Sequence, residues 1–131
     1  MKPLITQYFE ALEAQLVVSP LIRTFNVIRR EVTPVDGKIR VRATLVDGGL
    51  LDLFEYGVEK DGQVHLRKYS FHWQGDGGDL IRRWDNAPHH PEISTHPHHK
   101  HTLSGVETAE PPDLSDVLRE IDRYLGGGHH A

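Results

Sequence analysis

The chain has 131 residues, enough for one domain with its own hydrophobic core. Its formal net charge of −4, with histidines counted as neutral, excludes a broadly basic protein that coats nucleic acid. The absence of cysteine excludes disulfide bonds, thiolate nucleophiles and thiolate zinc sites. No apolar run approaches the roughly 18 residues of a membrane helix, and the start lacks a signal-peptide core, so we expect a cytoplasmic protein.

The first predicted element is a helix near the N-terminus. Apolar residues recur there at steps of three and four, and they form one stripe: Ile5, Tyr8, Phe9, Leu12 and Leu16. Ser19-Pro20 should end the helix, because the residue before a proline avoids the helical region.

Short strands joined by turns are predicted next. Their approximate positions are 22–32, 38–45, 50–59, 64–73 and 80–84. The clearest alternation sets Ile39, Val41, Ala43 and Leu45 against Lys38, Arg40, Arg42 and Thr44. Asp36-Gly37 is the predicted turn before this strand. The pattern favours an antiparallel meander of about five strands.

The fourth predicted strand has an aromatic and a polar face. Tyr69, Phe71 and Trp73 share one face, which predicts packing under a helix or, alternatively, a platform for stacked bases. Lys68, Ser70 and His72 share the other face. A site on the polar face would therefore include Lys68 and His72.

Residues 86–110 are predicted to be a loop, since they contain prolines and few apolar residues. So long a loop in a compact domain is often functional. A helix follows, with Asp113 as its N-cap and Gly126 at its end. Its buried stripe is Leu114, Val117, Leu118, Ile121 and Leu125. Residues 126–131, with two histidines, are expected to be a flexible tail outside any site.

These elements predict a single α+β domain over residues 1–125. It consists of an antiparallel sheet with the N-terminal and C-terminal helices packed on one face. The order of the strands within the sheet does not follow from the sequence.

The candidate site is the histidine-rich segment. Six of the thirteen residues from 89 to 101 are histidines. Imidazole can bind a metal, move a proton or carry charge near neutral pH. The stretch just before it, Leu80-Ile81-Arg82-Arg83-Trp84-Asp85, adds two guanidinium groups, an indole and a carboxylate.

One interpretation is a divalent metal site, such as zinc. Histidines two apart in extended backbone leave on one face and could chelate an ion. The ligands would come from Asp85, Glu92, His98, His99 and His101. No standard zinc motif is present, however.

The second interpretation is cleavage of RNA by its own 2′-hydroxyl, without metal or cofactor. This needs a base, an acid and a cation beside the phosphate. Proton transfer would fall to Asp85, His89, His90, Glu92, His98, His99 and His101. Substrate would be held by Lys68, His72, Arg82, Arg83, Trp84 and Lys100.

A third interpretation is structural, or a surface that only binds. A loop of prolines and histidines can simply cover a sheet, and residues 85–88 can be an Asx-type turn closing a strand.

Several stretches carry a family resemblance. They are Tyr69-Ser70-Phe71-His72-Trp73-Gln74, the run from Leu80-Ile81-Arg82-Arg83-Trp84 to Pro91-Glu92, Pro97-His98-His99-Lys100-His101, and Glu110-Pro111-Pro112-Asp113-Leu114 with the helix after it. Together they resemble the TumE-type toxins of bacterial toxin–antitoxin pairs. His96 stands where relatives are expected to carry an apolar aromatic residue, so it is a weaker candidate than its neighbours.

The resemblance implies a small cytoplasmic toxin and a cognate antitoxin with a helix-turn-helix DNA-binding domain. It supplies no catalytic residues. The residue argument therefore predicts a metal-independent endoribonuclease with RNA as substrate. A metal-dependent hydrolase or nuclease and a non-catalytic binding module remain the alternatives.

Overall fold

A seven-stranded antiparallel sheet and two helices make up the computed structural model, which describes residues 2–127. The helices are α1 (Leu4–Val18) and α2 (Leu114–Tyr124). The strands are β1 (Ile22–Val32), β2 (Asp36–Leu45), β3 (Leu50–Lys60), β4 (Gln63–Gln74), β5 (Leu80–Asp85), β6 (His99–Thr102) and β7 (Gly105–Thr108). Of the predicted flexible tail, residues 128–131 lie outside the described range.

The sheet is a meander in which every strand pairs with its sequence neighbour, in the order β1 to β7. The α+β class is confirmed, but the number of strands differs from the five expected. The extra strands, β6 and β7, lie within residues 86–110, which were predicted to be a loop. Each has only four residues and no apolar alternation, so its strand conformation depends on pairing with the neighbouring strand.

The predicted turn at Asp36-Gly37 is also corrected, since both residues belong to β2. The turn lies just before them, where the Thr33 hydroxyl donates to Asp36 Oδ1 over 2.6 Å. Gly37 serves a different purpose. A Cβ at this position would come within 2.4 Å of Ile5 Cγ2, so the glycine lets α1 lie close to β2.

One face of the sheet carries the core. It is formed by alternate residues of the strands, including Ile39, Val41, Leu51, Leu53, Phe71, Trp73 and Trp84, all of them buried. The helices cover this face with Ile5, Phe9, Leu12 and Leu16 of α1 and with Leu114, Val117 and Ile121 of α2. Packing of both terminal helices on one face is as predicted.

The helix ends follow local chemistry. α1 stops at Val18 before Ser19-Pro20, as expected. α2 begins with a capping box, in which the Asp113 side chain accepts from Asp116 N and the Asp116 side chain accepts from Asp113 N. Within residues 2–127 neither helix has the length and hydropathy needed to cross a membrane.

No helix within residues 2–127 covers the opposite face, and we call it the helix-free face. Strand register brings its residues into rows. Arg40, Phe54, Ser70, Asp85 and His99 lie on successive strands in one row, and Arg42, Asp52, His72, Arg83 and His101 form the next. The polar residues of five strands therefore share one surface.

Candidate active site

A groove of about 920 Å³ runs over the helix-free face. Five cationic side chains line it, namely Arg29, Lys38, Arg40, Lys68 and Arg83. Its lining also includes Phe54, Tyr56, His89 and His101, and two acids, Asp36 and Asp85. A protein with a net charge of −4 thus has a groove in which cations outnumber carboxylates.

Asp85, the last residue of β5, is the centre of the histidine cluster. Its side chain is buried, with only 9% exposed. Oδ1 accepts from Ala87 N at 3.0 Å and lies 3.0 Å from His99 Nε2, while Oδ2 accepts from Arg83 Nε at 3.1 Å. Oδ2 also lies 3.9 Å from His101 Nε2. The Ala87 bond is the Asx-type turn anticipated in the sequence, and the carboxylate additionally accepts from a guanidinium and lies beside two imidazoles.

His99 is fixed by both of its ring nitrogens. Nδ1 donates to the Pro97 carbonyl over 2.9 Å, because a carbonyl can only accept, and Nε2 contacts Asp85. Its side chain is 2% exposed. A ring so enclosed cannot reach a substrate in the groove, so His99 can only position its neighbours.

His101, two residues further along β6, lines the groove itself. Burial lowers the pKa of His101 below its ordinary value of 6.5, and the nearby His99, His90 and Arg83 lower it further, while Asp85 acts in the opposite sense. A lowered pKa favours the neutral form of the ring. His101 is therefore able to accept a proton.

His90 completes a cluster of three imidazoles. Its ring centroid lies 4.8 Å from that of His99 and 5.7 Å from that of His101, and its Nδ1 lies 3.2 Å from Glu92 Oε1. Glu92 is itself exposed, and hydrogen bonds from its own backbone N–H and from His90 hold the pKa of Glu92 below its usual range.

The same three histidines are a group that could hold a metal ion. One ring nitrogen from each of His90, His99 and His101 lies within 4.8 Å of the others. A tetrahedral zinc site would need them nearer to one another, since Zn–N distances are about 2.0–2.1 Å. His99 would also have to give up its bond to Asp85 or to Pro97.

The remaining histidines of the segment are dispersed. His89 is exposed and lines the groove, as His101 does. His98 instead stacks on Tyr69, with 2.9 Å between its Nδ1 and the Tyr69 hydroxyl, outside the cluster. Burial raises the pKa of Tyr69, and Asp85 adds to the effect. His96 is exposed and does not line the groove.

Three residues expected to bind substrate lie on the helix side. Arg82 pairs with Glu120 of α2 at 3.1 Å and lies over the Trp73 ring. Trp84 is 4% exposed in the core, and Lys100 lies over its ring, 3.6 Å from Glu120 Oε1. Neighbours along a strand point to opposite faces, so Arg82, Trp84 and Lys100 cannot join Arg83.

Lys68 and His72 lie on the helix-free face, as the alternation of β4 requires. Lys68 lines the groove. His72 lies in an adjoining hollow of about 330 Å³, which shares Arg40 and Arg83 with the groove, and its Nε2 is 3.0 Å from Gln74 Oε1.

Sequence reasoning did not assign several residues of the groove to the site, among them Lys38, Arg40, Phe54 and Tyr56. The signal for the two cations was visible, because Lys38 and Arg40 alternate with the buried residues of β2 and so must face away from the core. What the sequence lacks is the register that brings β2 beside β3 and β4.

The family model described as Toxin TumE matches residues 9–125, which is most of the chain. The chain belongs to the TumE toxin family. No curated protein and no solved structure matches it. The matched region contains the sheet, the groove and the whole histidine cluster. Membership of a toxin family implies, in general, an antitoxin partner.

Proposed function

We propose that this TumE-family toxin is a metal-independent endoribonuclease whose active site lies in the groove around Asp85 and His101. The observation that carries the proposal is the cluster around one buried carboxylate. Asp85 holds His99 at 3.0 Å and Arg83 at 3.1 Å, with His101 at 3.9 Å, at the wall of a cationic groove. A base-capable ring beside a guanidinium is what cleavage at a phosphodiester requires.

In the proposed reaction His101 takes the proton of a ribose 2′-hydroxyl. The 2′ oxygen then attacks phosphorus and the bond to the 5′ oxygen breaks, which leaves a 2′,3′-cyclic phosphate. His89, which with His101 lines the groove among residues 2–127, gives a proton to the leaving 5′ oxygen. Arg83 stabilises the negative charge on the phosphate oxygens. Asp85 and His99 are positioning residues, because both are buried.

The partner in this proposal is a cognate antitoxin with a helix-turn-helix domain, and the protein acts in the cytoplasm. Neutralisation is simplest if the antitoxin covers the groove with an acidic surface, since complementary charge favours such contacts. The support is the family membership together with the excess of cations in the groove.

Expression without the antitoxin tests the proposal. The parent should arrest growth and leave RNA fragments with 2′,3′-cyclic phosphate and 5′-hydroxyl ends. His101→Ala should lower cleavage by the purified protein by about 10²–10⁴-fold, as expected for loss of a general base, and relieve the arrest. His96→Ala is the matched control, because this exposed ring lies outside the groove and should leave both readouts unchanged.

Two outcomes would contradict the proposal. If His101→Ala cleaves RNA as fast as the parent, the residue assignment is wrong. If growth stops while cellular RNA stays intact, the chemistry is wrong. The second result would favour a toxin that acts by binding alone.

A metal-dependent hydrolase or nuclease is the second candidate function, because His90, His99 and His101 offer three nitrogens within 4.8 Å of one another. It predicts about one tightly held ion per chain in elemental analysis of untagged protein and loss of cleavage with chelators. We favour the metal-free reaction, because a metal would have to displace either the hydrogen bond of His99 to Pro97 or its contact with Asp85.

A further inference from the structure

Two lysines on the helix-free face have unusual surroundings. Lys38 lies on β2 and Lys68 on β4, and both line the groove. Neither the Lys38 nor the Lys68 ammonium group forms an ion pair within residues 2–127, since no carboxylate oxygen there lies within 4.0 Å of either nitrogen. The other cations here do: Arg29 pairs with Glu31, Arg40 with Asp52 at 2.8 Å, and Arg83 with Asp85.

Aromatic rings hold these lysines in place. The Lys38 ammonium lies 5.7 Å from the centre of the Tyr56 ring, and the Lys68 ammonium lies 5.9 Å from that of Phe54. Arg40 covers the same Phe54 ring at 5.2 Å. Cation–π contact restrains a lysine without neutralising it, so the groove presents two oriented positive charges.

The lysines and the catalytic cluster lie on one continuous surface. From β2, which carries Lys38, to β6, which carries His101, there are four strand spacings, or about 19 Å. Lys68 lies between them on β4. Phosphates bound at the lysines would thus belong to the same strand as a phosphate at His101.

We infer that Lys38 and Lys68 bind consecutive phosphates of a single-stranded RNA segment that crosses the strands toward His101. The inference rests on the proposed function and names its substrate-binding surface. A single strand fits the groove better than a duplex, because it can follow a concave sheet surface and place an unstacked ribose beside the base. Asp36 is an acid that also lines the groove. Its Oδ2 accepts a hydrogen bond from the Tyr56 hydroxyl at 2.9 Å, so this oxygen already has a partner within the protein.

A binding measurement with an RNA that cannot react tests the inference separately from the chemistry. The probe is a fluorescein-labelled RNA of about ten nucleotides with 2′-O-methyl groups throughout, followed by anisotropy. Lys38→Gln and Lys68→Gln should each raise its Kd by about tenfold, the scale of one charge-assisted phosphate contact. Lys68→Arg should restore most of the binding.

Two control variants carry the same charge change elsewhere. Arg123→Gln is on α2, on the helix side, and Arg29→Gln removes a groove cation already paired with Glu31. The first should leave the Kd unchanged, and the second should change it by less than either lysine substitution.

Three results would overturn the inference. The first is that the parent protein does not bind the probe, and the second is that a duplex of the same sequence binds as tightly as the single strand. The third is that an acidic peptide displaces the probe while both lysine variants bind RNA normally. Probe binding with no cleavage of unmodified RNA would instead overturn the nuclease proposal and leave this inference standing. If both lysine variants cleaved RNA with an unchanged KM, this inference would be overturned and the nuclease proposal would stand.

Discussion

Two buried carboxylates in the sheet have opposite surroundings. Asp85 accepts hydrogen bonds from a backbone N–H and a guanidinium and contacts an imidazole. Glu55 lies on the core face, where the Tyr8 hydroxyl donates to its Oε1 over 2.6 Å and its Oε2 has no partner among residues 2–127. Burial raises the pKa of Glu55 to about 7, against the lowering effect of Tyr8, and Asp113 raises it further. The two buried carboxyls therefore differ in the number of donors that meet them.

Glu55→Gln should change how stability depends on pH. The carboxyl ionises near pH 4.5 in the unfolded chain and near pH 7 in the folded one, so rising pH through this window favours unfolding. The parent should lose up to about 3 kcal/mol of unfolding free energy there, and the variant should not. Urea denaturation at several pH values from about 5 to 8 measures the difference.

Glu110→Gln is the control for this measurement, because Glu110 is exposed. This variant should show the same pH dependence of the unfolding free energy as the parent. A variant at Glu55 that kept the full pH dependence of the parent would show that another group is responsible for it.

At the scale of the elements, the seating of α1 on the sheet depends on one close approach. Gly37 of β2 faces α1, and a Cβ there would lie 2.4 Å from Ile5 Cγ2 and 3.0 Å from a Phe9 ring carbon. Both side chains are fully buried, so they have little room to move.

Gly37→Ala should therefore destabilise the protein by about 1–3 kcal/mol, the usual cost of overpacking a core. Gly77→Ala is the matched control, since a Cβ at Gly77 would meet nothing within 4 Å. Thermal or urea unfolding of the two variants makes the comparison. Equal loss in both would mean that backbone freedom, rather than the contact with α1, is what these glycines supply.

The elements also show how far the sequence predicts the fold. The α1 stripe and the Asp113 cap are local patterns, and both are found in the structure. β6 was missed because its strand state comes from pairing with β5, through Arg83 with His101 and Asp85 with His99. No periodicity within four polar residues reports such a pairing.

The candidate site was predictable in composition and less so in geometry. The structure brings three imidazoles of the predicted segment together, those of His90, His99 and His101. The expectation that Arg82 joins Arg83 did not allow for strand alternation, which sends it to Glu120 on the other side. His99 and His101 differ in burial, since His99 is enclosed and His101 lines the groove. Burial depends on the whole fold, so the sequence does not reveal this difference.

At the scale of the whole molecule, charge is unevenly distributed. The chain carries −4, yet the groove has five cationic and two acidic side chains. Long-range attraction of RNA is therefore weak, and binding must depend on local contacts with the helix-free face. This makes the salt dependence of binding a measure of how many phosphates are held.

The slope of log K against log salt should become shallower by about 0.7 for each lysine removed from the groove, the value for one phosphate of a single strand. Lys38→Gln and Lys68→Gln should each show this change with the 2′-O-methyl RNA, and the double variant should show about twice as much. Arg123→Gln should keep the slope of the parent. A lysine variant with an unaltered slope would mean that its ammonium does not contact a phosphate.

The meander has a consequence for the order in which the molecule assembles. Each strand needs only the strand before it, so the sheet can grow hairpin by hairpin as the chain emerges during translation. The last contacts to form bring together distant parts of the chain, such as Ser115 on α2 with Gln15 on α1, 100 residues apart. Burial of Trp73, whose ring centroid lies 5.0 Å from that of Tyr124 on α2, thus waits for α2, and the core is complete only once that helix has been made.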